Sequence, residues 1–179
     1  MENLDNKIKE IFYVFKSLLN DKEARVLIYS HVDFNSIEAW GNINKLSKPT
    51  MQIGVSVIYK SDKEVFINTS GSVDVLPNRE DLIIIFPDKE TKFFMPNNAA
   101  ICNSDGSLRH QLIVPEELMN QGKIGKEGWY IHSTYYADFP RLKGFGVMVT
   151  NDYHWPELCF CLYDGTPNLV WTKYKQERR

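Results

Sequence analysis

The spacing of hydrophobic residues near the start of the chain predicts a helix over residues 3–20. Apolar side chains recur there every three or four positions, as on one face of an amphipathic helix: Leu4, Ile8, Ile11, Phe12, Phe15, Leu18 and Leu19. A second helix is predicted from Asn35, which forms a capping box with Glu38, to about Leu46, just ahead of Pro49. Residues 1–49 are therefore expected to be mainly helical.

From Thr50 onward the pattern changes to the two-residue alternation of a β-strand. Short apolar runs separated by turns predict strands there at 51–60, 64–69, 73–76, 81–86, 91–95, 99–102, 108–114, 129–136, 145–150, 158–163 and 169–174. A similar run predicts one earlier strand, at 25–30. The Asp105–Gly106 pair is a strong hairpin signal. The predicted fold class is α+β, with N-terminal helices packed on a mainly antiparallel, curved β-sheet built from successive hairpins.

Composition limits the possible domain organisation and the class of partner. The chain has 179 residues, 43% of them hydrophobic and 25% charged, which suits a single globular domain over 1–179 with a mainly β part at 50–179. The glycine-rich stretch 121–128 predicts a flexible seam. A net charge of −2 makes a nucleic-acid partner unlikely, because such proteins neutralise phosphates with a basic surplus. With no signal-peptide pattern and no long apolar run, we expect a cytoplasmic protein without a membrane partner.

The cysteines raise the question of a metal site. Thiolates and imidazole bind zinc, so the candidate ligands are Cys102, His154, Cys159 and Cys161. Cys159 and Cys161, however, alternate along a predicted strand, where they are typical of ordinary packing. We therefore expect neither a metal ion nor a cofactor.

Histidine beside carboxylate suggests acid–base chemistry as an alternative. His31 lies near Asp33, and His154 lies near Asp152, each pair at the end of a predicted strand. Together with His132 they would suit a small-ligand-binding protein or a hydrolase-type enzyme with a pocket inside the curved sheet. The same spacing is common in inert loops, so whether the chain is an enzyme stays open, with the balance against it.

Aromatic residues suggest a binding surface instead. The candidate contact residues are Tyr153, His154, Trp155 and Glu157 in one loop, with Trp129, Tyr135 and Trp171 from flanking strands. The leading hypothesis is a non-catalytic protein-binding module, of an inhibitor or immunity (antitoxin-like) type, that occludes another protein. Basic residues interleaved with Trp171 and Tyr174 leave a single-stranded nucleic-acid binder as a further alternative. The partner's identity and the oligomeric state do not follow from the sequence.

Overall fold

The computed structural model describes residues 6–30, 43–87, 93–120, 128–135, 144–151 and 157–177. The chain divides into two compact units: a first unit of Met1–Leu82 with Cys102–Ser107, and a second of Ile83–Ile101 with Leu108–Arg179. Strands dominate both. In the described ranges the helical elements are a 3₁₀ turn at Ile43–Lys45 and one short helix, α1, at Glu116–Met119.

Four antiparallel strands form the first sheet. They are β1 (Ile8–Ser17), β2 (Glu23–Ser30), β3 (Thr50–Tyr59) and β4 (Glu64–Ile67), in the spatial order β2-β1-β3-β4. Cross-strand pairs place Ile11 against Val57 and Tyr13 against Val55 on one face. Both valines and Ile11 are fully buried, so this face lies in the core of the first unit.

The predicted helix over residues 3–20 is wrong, because Ile8–Ser17 is a strand of the first sheet. Its buried residues are Ile8, Ile11, Val14 and Ser17, a three-residue spacing that resembles helical periodicity. Between Ile8 and Glu10 the pairing with β3 shifts by one residue, a β-bulge at Lys9 that returns Ile8 and Ile11 to the same face. The content of β-branched and aromatic residues in this segment also favours a strand.

The α+β fold class is wrong for the same reason: the described chain is nearly all antiparallel sheet, and no N-terminal helix packs on it. Most of the second predicted helix, from Asn35, lies outside the described residues. Its end holds the 3₁₀ turn at Ile43–Lys45.

The second sheet has the order β5-β6-β7-β8. Its strands are β5 (Ser72–Val75), β6 (Asp81–Ile85), β7 (Ala99–Asn103) and β8 (Leu108–Gln111). The strand predicted at 81–86 is confirmed, and every residue of β6 is buried, so this strand is covered on both faces. The turn at Asp105–Gly106 is confirmed as well, since Gly106 adopts a φ of 84° and its N–H donates to the Asn103 carbonyl.

The third sheet is an antiparallel meander with the order β12-β11-β10-β9. It consists of β9 (Trp129–Tyr135), β10 (Phe145–Asn151), β11 (Glu157–Tyr163) and β12 (Val170–Glu177). These confirm the predicted C-terminal strands. The predicted strand at 91–95 is not confirmed: residues 93–95 are described and are not a strand, and the others lie outside the described ranges.

Candidate protein-binding surface

The first unit exposes four large apolar side chains among its described residues. Leu18, Leu19, Met51 and Phe66 are 56%, 69%, 51% and 51% exposed. We call this set the apolar stripe. Exposed apolar residues that cluster on one face are typical of protein-binding surfaces, whereas isolated ones need no explanation.

Strand register places three of these side chains on one face of the first sheet. Met51 pairs with Lys16, and the Leu18 N–H donates to the Pro49 carbonyl at 3.0 Å, so Leu18 is the next residue along that face. Phe66 pairs with Ser56. The pairing of β1 with β3 shifts between Val14 and Phe15, which brings Met51 to the same face as Ser56.

Gly54 makes room for the ring of Phe66. A Cβ atom at position 54 would collide with that ring and would lie 2.6 Å from the backbone oxygen of Ile67. The ring could turn away, but the backbone oxygen belongs to the paired strand β4. Glycine at this position therefore lets Phe66 extend over β3 toward Met51.

A polar bridge runs across the same face. The Ser56 hydroxyl donates to Oε1 of Glu64, and Nη1 of Arg25 lies 2.8 Å from the same oxygen. Arg25 belongs to β2 and Glu64 to β4, so the pair connects the two edge strands over β1 and β3. Ser56 is fully buried, while the Arg25 and Glu64 side chains are 50% and 41% exposed.

The charge state of this bridge is well defined. The hydrogen bond from Ser56 is the largest influence and lowers the pKa of the Glu64 carboxyl below its ordinary value. Burial opposes this shift, and the charge and hydrogen bond of Arg25 add smaller lowering effects. Glu64 is thus an anion at neutral pH. The face thus combines exposed apolar side chains with an ordered ion pair beside them, as in an interface with an apolar centre and a polar rim.

The aromatic residues predicted to bind a partner do not belong to the apolar stripe, and those that the structure describes are buried or half-buried. Trp129 and Trp171 are 4% and 8% exposed and belong to the core of the second unit. Tyr135 is half-buried, with its hydroxyl donating to the Cys161 carbonyl at 3.1 Å and its ring edge-on to Phe160 at 5.0 Å. Burial raises the pKa of Tyr135 to about 12, so it stays a neutral donor.

The rest of the predicted contact loop lies outside the described residues: Tyr153, His154 and Trp155. Glu157 is described as the first residue of β11 by its backbone alone. The assignment of this loop as a binding site stays a prediction.

Among the candidate catalytic residues, His132 can be placed. It is exposed, with Nδ1 2.9 Å from the Ser133 hydroxyl, and it lies where the pairing of β9 with β10 shifts by one residue. The other candidates lie outside the described residues: His31, Asp33, Asp152 and His154.

The three cysteines are free and buried. Cys159 and Cys161 pair with Val149 and Val147 inside the third sheet. Burial, and then the proximity of Cys159, raises the pKa of Cys161 to about 12, which opposes the thiolate that zinc requires. In the described part of the chain no cluster of three or more His, Cys, Asp or Glu could hold a metal ion, and no helix is long and apolar enough to cross a membrane.

Sequence reasoning missed the apolar stripe and the polar bridge. Leu18 and Leu19 lie on the apolar face of the helix that the sequence predicts, so their exposure does not follow from it. The signal that was available is the alternation in the short segment Glu64–Ile67, in which Phe66 faces opposite to Val65 and Ile67.

Comparisons with known proteins place the fold. No protein-family model matches the chain, and no curated protein matches it in sequence. A chain from the solved structure of Tne2 in complex with Tni2 matches with a TM-score of 0.52 and 15% sequence identity. The match covers 96% of this chain and 99% of that chain, so the likeness of fold extends over nearly the whole length of both.

Proposed function

We propose that this chain is a non-catalytic protein-binding module of the inhibitor or immunity type, which acts by occluding a protein partner. The observation that carries the proposal is the likeness of fold over nearly the full length to a chain taken from a complex, that of Tne2 with Tni2. The apolar stripe supports it independently, because exposed apolar side chains around an ordered ion pair suit a partner surface better than bulk water.

The mechanism proposed is steric. Phe66, Met51 and Leu18 would be buried by the partner, while the bridge from Arg25 to Glu64 orients polar groups beside them. A charged pair that is already ordered by Ser56 loses little conformational entropy on binding. Occlusion of this kind requires no reaction at the contact.

The test is capture of the partner by the tagged full chain from a lysate of the organism that encodes it, with the complex sized by gel filtration and identified by mass spectrometry. Met51→Glu should weaken capture by at least about tenfold, because it places a charge in the desolvated centre of the contact. Leu108→Glu, at 47% exposure in the second unit, is the matched control and should capture normally.

A parallel variant, Tyr153→Ala with Trp155→Ala, tests the loop assignment. If Met51→Glu captures as well as the unmodified chain while the loop variant does not, the stripe is not the contact. If neither the unmodified chain nor any variant retains a partner, the binding function itself is refuted. An inhibitor must also abolish the partner's activity in proportion to the amount of chain added.

A further inference from the structure

A groove of about 490 Å³ lies beside the start of β2 in the first unit. It is lined by Lys22, Glu23, Ala24, Arg25, Lys45 and Leu46. Ala24 and Leu46 supply apolar walls, whereas the four charged lining residues are exposed. Three of the six lining side chains are positively charged (Lys22, Arg25 and Lys45), and one is negatively charged (Glu23).

Glu23 is the one carboxylate among the residues that line the groove. It lies opposite Lys16 in the β1–β2 ladder, and the Lys16 ammonium lies 3.0 Å from Asp21. One terminal nitrogen of Arg25 contacts Glu64. Because a guanidinium has five N–H donors in a planar fork, its other donors can bind a second carboxylate. The groove therefore presents a positive field to a ligand.

The groove and the apolar stripe are neighbours. The β1–β2 turn carries Leu18 and Leu19 before it reaches Lys22, and the Asn20 side chain donates to the Ser47 hydroxyl at 3.1 Å, which ties this turn to the segment bearing Lys45. Arg25 contributes to both the groove and the polar bridge. One partner surface can cover the two sites together.

We propose that this basic groove takes an acidic segment of the protein partner, with its carboxylates bound between Lys22, Lys45 and the remaining N–H donors of Arg25. The inference rests on the proposed protein-binding function and names the chemistry of the partner. The apolar walls suit the methylene groups of Asp and Glu side chains. A nucleic acid is the less favoured occupant, because the chain carries a net charge of −2 and would repel an extended phosphate backbone.

The test uses the full chain and a short fluorescent poly-glutamate peptide, with poly-glutamine of equal length as the neutral probe. We expect the glutamate peptide to bind at low salt, to shift the backbone amide resonances of residues 22–25, and to release as salt is raised. Lys22→Glu with Lys45→Glu should weaken binding by about tenfold or more, since two attractive contacts become repulsive.

Lys60→Glu with Lys63→Glu is the matched control, because it changes the net charge equally at lysines outside the groove. Lys22→Gln with Lys45→Gln repeats the test without added repulsion, should the reversal prevent folding. Three results would each overturn the proposal. The two probes could bind equally, the groove and control variants could lose binding equally, or a single-stranded oligonucleotide could bind more tightly than the peptide. These readouts do not depend on the partner, so failed peptide binding with intact partner capture refutes the groove alone.

Discussion

Gly54 shows how one missing side chain shapes the apolar stripe. Its φ is not in the left-handed region, so the backbone there would accept any residue, and the requirement for glycine is one of space. A Cβ atom would meet both the Phe66 ring and the Ile67 backbone oxygen. The position of the Phe66 ring over β3 thus depends on the absence of a side chain at Gly54.

The polar bridge predicts a pH-dependent contribution to stability. The folded pKa of Glu64 lies below its ordinary value of 4.5, so the folded state favours the anion. The stabilisation is therefore complete above that ordinary value and is lost as pH falls through the lowered folded pKa. We expect Glu64→Gln to reduce the free energy of unfolding by about 0.5 kcal/mol at neutral pH, because solvent screens the exposed ends of the bridge.

Urea unfolding near neutral pH and again near about pH 3 measures this difference. It should shrink at the lower pH, because protonation of the folded carboxyl removes the stabilisation that the anion provides. Glu23→Gln, the same change at an exposed position of β2, serves as the control. A Glu64→Gln penalty of equal size at both pH values would show that the bridge stabilises through packing and not through charge.

At the scale of elements, β12 is interrupted by a bulge that reorganises its side chains. Trp171 pairs with Cys161 and Lys175 with Cys159, so β12 carries two more residues than β11 between these pairs. Lys173 sits in the bulge with a φ of 67°, its ammonium 4.2 Å from the centre of the Trp171 ring and 2.6 Å from Glu117.

The Thr172 hydroxyl bonds to backbone groups of both β11 and β12 at the bulge. It donates to the Phe160 carbonyl at 2.7 Å and accepts from the Tyr174 N–H at 3.2 Å. A bulged strand bearing a lysine is a poor template for another strand, so this geometry protects an edge of the third sheet from edge-to-edge pairing. The basic and aromatic residues that suggested nucleic-acid binding in part contact one another here.

Thr172→Val tests the role of this hydroxyl, since valine keeps the shape and removes both hydrogen bonds. We expect the free energy of unfolding to fall by about 1–2 kcal/mol, because the substitution removes two hydrogen bonds made by a buried side chain. Thr166→Val is the control: its hydroxyl bonds to Asp164 in an exposed turn, where water can substitute. Equal losses in the two variants, by urea unfolding, would argue against a special role for Thr172.

Strand β1 shows why an element can be predicted in the wrong class. A helix prediction needs apolar residues three and four apart, and a bulge produces that spacing in a strand by restoring Ile8 and Ile11 to one face. Partial cover of the second face then buries Val14 as well. Periodicity alone cannot separate these cases, because the bulge is defined by pairing with β3.

For the whole molecule, backbone protection should follow sheet order and not chain order. In the first sheet β1 and β3 have neighbours on both sides, and in the third sheet β10 and β11 do, whereas β2 and β12 lie at the ends of the described orders. Central strands bond through both rows of backbone groups, and edge strands leave one row to solvent.

Native-state amide hydrogen exchange measures this pattern. Paired amides of β1 should exchange at least about tenfold more slowly than those of β2, although the two strands are adjacent in the sequence. The same order is expected for β11 relative to β12. Buried amides of β6 provide an internal reference for slow exchange. Exchange in β2 as slow as in β1 would contradict the expectation.

By itself, the sequence determined most strand segments from Thr50 onward, the turn at Asp105–Gly106 and the fully covered strand β6. These follow from side-chain alternation, apolar runs and turn chemistry, which act between near neighbours along the chain. The strand identity of Ile8–Ser17, the exposure of Phe66 and the bridge from Arg25 to Glu64 were decided by tertiary structure alone. Each depends on pairing between segments far apart in sequence, where a shift of one residue exchanges the faces of a strand.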